Sequence, residues 1–159
     1  MVFLCPVCLP DSASASSACP AEISTIAVGI DSGAAVSVWP SKLNNDYPLK
    51  KTAQVGTKYC SAGKGAKHIV NEGERQLHLE TAGGRVRGAK VPVADVRKPL
   101  MSVAEMVDAG QDVHFLASGQ AYAVHKASGE VTQFTRRKNV FELDVEVKPF
   151  QKGSFRRQP

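Results

Sequence analysis

The sequence predicts a mostly-β domain, closed and barrel-like with largely antiparallel strands, carrying one short helix at residues 102–109. Three observations lead there. Short runs rich in Val, Ile, Thr and aromatic residues recur along the chain, each bounded by Gly, Pro, Asn or Ser. The connections Gly63-Lys64-Gly65, Ala82-Gly83-Gly84, Ser118-Gly119 and Ser128-Gly129 are short and rich in glycine, as tight turns between neighbouring strands require. Only one segment combines a helix cap with a helical apolar face.

In chain order, DSASASSACP at 11–20 is low in complexity and reads as a linker, so structure is expected to begin near Glu22. EISTIAVGID is a strand by length and β-branching. After Asp31-Ser32-Gly33, AAVSVWP predicts a second short strand stopped by Pro40, and SKLNNDYP is turn chemistry. Residues 57–62 and 66–70 form a hairpin around Gly63-Lys64-Gly65. A further turn at Asn71-Glu72-Gly73 leads into a strand over 74–80, where Leu77 and Leu79 alternate with polar neighbours. The next strand ends near Val96 with Val91, Val93 and Asp95 on one alternation, and Pro92 puts part of it at an edge or bulge. Ser102 and Glu105 make a capping box, Val103, Met106 and Val107 an apolar face, and Gly110 stands at the C′ position. Strands resume with DVHFL, QAYAVH, EVTQF and VFELDVEV, before an acid-free basic ending, KPFQKGSFRRQP.

With 159 residues, 43% hydrophobic and 22% charged, the chain is sized for one compact domain. No apolar run approaches the roughly 20 residues of a spanning helix, so no membrane role is expected. The net charge of +5 is unevenly placed, because no Lys or Arg precedes Lys42. MVFLCPVCLP lacks a basic start and carries Pro6 and Pro10, which argues against a secretory signal. Three of the four cysteines (Cys5, Cys8, Cys19, Cys60) sit in the Ser/Ala-rich leader, so a disulfide framework is not expected and a reducing compartment is. Cys5-Pro-Val-Cys8 is half of a zinc site with no second half, and His68, His78, His114 and His125 fall on four different predicted strands, so no metal is expected. Arg136-Arg137-Lys138 and the tail's Lys148, Lys152, Arg156 and Arg157 offer at most weak RNA contact, since no aromatic platform is interleaved with them.

The most informative segment is Ile30-Asp31-Ser32-Gly33-Ala34, where a carboxylate leaves an apolar strand straight into a turn with a hydroxyl and a glycine. Such an arrangement either holds a carboxylate for use or closes the strand with an Asx-type turn. No G-x-S-x-G elbow is present, because Ser32 stands one place late in Gly29-Ile-Asp-Ser-Gly33, so serine chemistry is not expected.

From IAVGIDSGAAVSV, through YCSAGKGAKHI, to VADVRKPLMSVAEMVDAGQDVHF and the closing SGEVTQF and VFELDV, the chain resembles the retropepsins, the aspartic proteases of retroviruses and LTR retrotransposons, and more closely the copia-type elements. The resemblance implies a retropepsin-like barrel and a homodimeric endopeptidase, each subunit lending one Asp to a pair of carboxyls that share a proton. By that pattern Asp31 is the catalytic acid, Ser32 braces the pair across the dimer axis, and Gly33 and Ala34 line the floor. Gly63, Lys64 and Gly65 lie at or near the tip of a flap closing over an extended peptide or polyprotein substrate. No cofactor is implied, and the setting is the cytoplasm or an intracellular retroelement particle. Pro99-Leu100-Met101-Ser102 stands where many retropepsins carry two aliphatic residues and a glycine, as in copia-type relatives. The expected organisation is a leader at 1–21, a protease domain at 22–117, additional strands at 118–147 and a basic tail at 148–159. The alternative is a catalytically silent retroelement-derived β domain that dimerises or binds peptide or RNA.

Overall fold

The computed structural model describes residues 25–60 and 68–150. The leader with Cys5, Cys8 and Cys19, the flap tip Gly63-Lys64-Gly65, and tail residues Lys152, Arg156 and Arg157 lie outside these. The described residues form ten strands and one helix: β1 (Thr25–Asp31), β2 (Trp39–Pro40), β3 (Lys58–Cys60), β4 (His68–Thr81), β5 (Val86–Ala94), β6 (Leu100–Ser102), α1 (Val103–Asp108), β7 (Gln111–Phe115), β8 (Ala121–His125), β9 (Val131–Arg137) and β10 (Val140–Val147). The mostly-β expectation with one short helix is met. The closed barrel is not.

The strands form an open path β2-β5-β4-β10-β9-β8-β7, with β1 branching from β10, β6 from β1 and β3 from β4. The reason for the fork lies in β10. One of its edges faces β1 continuously, from Thr25↔Glu146 to Ile30↔Phe141. Its other edge is divided, since Val140 to Glu142 pair with β9 while Val145 to Val147 pair with β4. Two branches therefore diverge from one strand, and the core fills the space between them. Leu77, Leu79, Val91 and Val93 face it from β4 and β5, Ala121, Ala123 and Phe134 from β8 and β9, and Met106 from α1.

Three local expectations are corrected. Asn71-Glu72-Gly73 is not a turn but a bulge inside β4. Gly73 has φ +147°, and a Cβ there would meet the Lys50 carbonyl oxygen at 2.6 Å, so only glycine fits. The Asn71 side chain accepts from the Gly73 N–H at 2.8 Å and donates to the Tyr59 hydroxyl at 2.9 Å, which satisfies the bulge internally. As a consequence His68 and His78 share β4 instead of lying on separate strands. The run AAVSVWP pairs at Trp39 and Pro40, in parallel with Val93 and Ala94, and through a single bridge from Val38 to Leu100, so Pro40 lies inside the short strand rather than after it. The strand expected to reach Val96 stops at Ala94, and Asp95 is exposed.

Two buried groups hold the 41–50 segment, whose composition reads only as turns. Tyr47 is 1% exposed and donates its hydroxyl to the Lys148 carbonyl at 2.6 Å. Burial pushes its phenol pKa up. Arg75 reaches the carbonyls of Ser41 and Leu43 and the Asn45 side chain from β4. Burial lowers its pKa.

Candidate functional site

Asp31 is the last residue of β1 and is half-buried, followed by exposed Ser32 and Gly33 and half-buried Ala34. The Gly33 N–H donates to Asp31 Oδ1 at 2.7 Å. The Asx turn and the held carboxylate are thus one structure. A Cβ on Gly33 would lie 3.3 Å from that same oxygen, closer than most side-chain contacts allow. Ser32 Oγ makes no hydrogen bond among the described residues, so the backbone, not the serine, orients Asp31 within one chain.

The loop after Asp31 is fixed by the helix cap. Ser102 is fully buried and pairs in parallel register with Asp31. Its hydroxyl donates to the Ala34 carbonyl at 2.6 Å and accepts the Glu105 N–H at 3.4 Å. Its own N–H donates to Ser37 Oγ at 3.0 Å, and the Ser37 N–H donates to Glu105 Oε2 at 2.9 Å. The reciprocal half of the capping box therefore runs through Ser37: Glu105 takes the Ser37 amide instead of the Ser102 amide. Beyond the loop, Val38 and Leu100 exchange both backbone hydrogen bonds at 2.9 Å, and Gly29 donates to the Pro99 carbonyl at 3.0 Å. Residues 99–102 thus hold the loop at its start, middle and end. Ser102 and Glu105 are legible as a cap in the sequence, but Ser37 carries no local signal for its part.

Asp31 opens onto a cavity of about 400 Å³ lined by Ile30, Ser32, Leu100, Phe115, Val140 and Phe141 along with Gly29. The Phe115 and Phe141 rings lie 5.0 Å apart, and the Arg136 guanidinium sits 5.9 Å from the centre of the Phe141 ring. Val140 is 54% exposed and Phe115 42%. A carboxylate at the edge of an apolar, solvent-facing wall can polarise water or accept a proton while an apolar side chain rests beside it.

The structure brings Asp31, Ser32, Gly33 and Ala34 together as one loop. Below the tip, the hairpin exists as β3 and β4 paired from Lys58↔Val70 to Cys60↔His68. The histidines have other surroundings: His68 Nδ1 lies 3.5 Å from Cys60 Sγ, His114 stacks on Tyr122, and His125 Nδ1 meets Ser128 Oγ at 2.9 Å. Among the described residues no three His, Cys, Asp or Glu side chains gather in a way that could hold a metal ion, and no helix is long and apolar enough to cross a membrane. No protein-family model matches the chain, and no curated protein matches it.

Proposed function

We propose that this chain is one subunit of a homodimeric aspartic endopeptidase of the retropepsin type, cutting extended peptide segments of a retroelement polyprotein. The observation that supports it most is the Asp31 loop: a carboxylate at a strand end, oriented by the Gly33 amide and pinned through Ser102 and Glu105, beside an apolar cavity. In the dimer, two Asp31 carboxyls share one proton, because two such charges a few Å apart cannot both ionise. The ionised carboxylate takes a proton from water as the oxygen attacks the peptide carbonyl. The protonated one gives its proton to the carbonyl oxygen, producing a neutral gem-diol. In the collapse of the diol the C–N bond breaks as one carboxyl passes its proton to the leaving nitrogen and the other takes a proton from a diol hydroxyl, which leaves the pair with a single shared proton. Ser32, exposed and without a hydrogen bond among the described residues, is placed to brace the partner's loop. Gly33 and Ala34 form the floor, and Gly63, Lys64 and Gly65 cover the peptide. An apolar substrate side chain rests against Phe115 and Phe141. On this reading the protein works in the cytoplasm or in a retroelement particle, without a cofactor.

The test is cleavage of a peptide library by the full chain, alongside Asp31→Asn, with the oligomeric state measured in the same buffer. Wild type should cleave with a bell-shaped pH profile as a dimer, and Asp31→Asn should lose about 10³-fold or more in kcat. Equal turnover by both proteins overturns the protease. Dimer without turnover in either favours the silent peptide-binding domain instead.

A further inference from the structure

The fork of the sheet leaves a second cavity, of about 310 Å³, between its two branches. It shares no lining residue with the cavity at Asp31. Packed interiors rarely leave voids much larger than one water, whereas this volume is in the range of small-molecule sites. Its walls are the buried side chains of Leu79, Val91, Met106 and Leu143. Gly88, Ala89 and Ala109 stand where larger residues would close it.

The charge at the rim has a positive surplus. Arg87 lines the cavity, and its ion-pair partner Glu130 is shared with Arg85, so one carboxylate faces two guanidiniums. Lys90, also lining, forms no ion pair among the described residues. Glu105, the one carboxylate among the lining residues, already accepts the Ser37 amide. Gln111 and Thr132 add neutral polar atoms.

We propose that this cavity binds an aliphatic monocarboxylate, its chain lying over Leu79, Val91, Met106 and Leu143 and its head paired with Arg87. The apolar floor offers a wholly polar anion such as phosphate no partners beyond the rim cations, whereas an aliphatic chain gains from burial there. The surplus positive charge favours the acid over an alcohol or an amine of the same length, and the guanidinium fork suits a carboxylate head. Ser37 and Glu105 line the cavity and also hold the Asp31 loop, but Asp31 itself is absent from the lining and the binding test does not read cleavage, so neither reading falls with the other.

The methionines give a direct readout, since of the three in the chain Met101 and Met106 line the cavity. The full chain, labelled at its methionine methyls, is titrated with decanoate below its micelle concentration, and in parallel with decanol and decylamine. The expected result is saturable one-to-one binding of decanoate that shifts the Met106 signal, tighter than decanol by several-fold and than decylamine by more. Ala89→Leu should weaken decanoate tenfold or more by filling the cavity. Ala109→Leu, at an exposed position on its mouth, does the same if Ala89→Leu fails to fold. Arg87→Gln should bring decanoate down to the affinity of decanol. Absence of saturable decanoate binding, equal binding of decanol to wild type, or unchanged affinity in the folded filling variants overturns the proposal.

Discussion

The Ser102 hydroxyl donates to the Ala34 carbonyl and receives the Glu105 amide, so one oxygen serves both the first turn of α1 and the loop that carries Asp31. Its removal leaves a carbonyl and an amide without their partner at a position with no solvent access. Ser102→Ala should therefore cost about 2 kcal/mol, the upper part of the range for a lost cap, because an unsatisfied carbonyl is added to it. Urea unfolding measures that loss, and faster hydrogen exchange at the Gly33 amide reports the loosened loop. A loss within 0.5 kcal/mol of zero, about the scatter of a surface substitution, would show that water replaces the hydroxyl. Much of this site is legible in the sequence because its chemistry is local: Asp31 and Gly33 are two residues apart, and Ser102 and Glu105 three. Ser37 and Ser102 are 65 apart in sequence, and nothing in either neighbourhood marks the pairing. Of the hydroxyl and the glycine that follow Asp31, it is the Gly33 amide that holds the carboxylate.

Among the elements, the β9–β10 hairpin shows how a charged cluster is used up by its own strands. Of Arg136-Arg137-Lys138, Arg137 forms a two-pronged contact with Asp144 at 2.8 and 2.6 Å and reaches Glu142 at 3.1 Å. Arg136 lies over the Phe141 ring, and Lys138 occupies the turn with φ +55°. Two of the three cations are thus committed to the hairpin, which weakens the case for RNA contact there. The hydrogen bond from Arg137 holds the Asp144 carboxyl below its usual pKa, and the same bond raises that of Arg137. Because the folded-state pKa of Asp144 is depressed, its contribution to stability is present above the unfolded value of about 4 and is lost as pH falls through the folded value. Asp144→Asn should accordingly lower Tm slightly at pH 7, as suits an exposed pair, with the difference fading as the pH falls below the unfolded carboxylate value of about 4. A difference that persists undiminished in acid would mean that packing, not charge, carries the effect. The four strands from β7 to β10 follow the predicted runs because each is a compact alternating segment between turn residues. The bulge in β4 does not, since Asn-x-Gly has the same local chemistry in a turn and in a bulge. What decides is the pairing of Glu74 with Lys50 and of the Asn71 amide with Thr57, both supplied from outside the strand.

At the scale of the whole molecule, β10 joins the strand that carries Asp31 to both branches of the sheet. It pairs with β1 over six registered positions and buries Leu143, Val145 and Val147 to 7% exposure or less. Each buried side chain of this size contributes about 1.5–3 kcal/mol, so the three together rival the net stability of a typical domain, about 5–15 kcal/mol. A chain ending at Arg137 would also leave β1 with a single partner, the three-residue β6, and would expose its edge directly beside Asp31. Such a truncation should lose cooperative thermal unfolding and the dispersed amide spectrum, and a peptide spanning 139–150 added in trans should restore part of both. The expected division at residue 117 makes the opposite demand, because a protease domain ending there must fold without β8, β9 and β10. A truncated chain that melts cooperatively and keeps a dispersed spectrum would mean that β1 finds another partner, and the strands after 117 would then be an appendage. If it unfolds while the full chain remains stable, the strands that follow the helix are what hold Asp31 in place, and the functional unit extends at least to Val147.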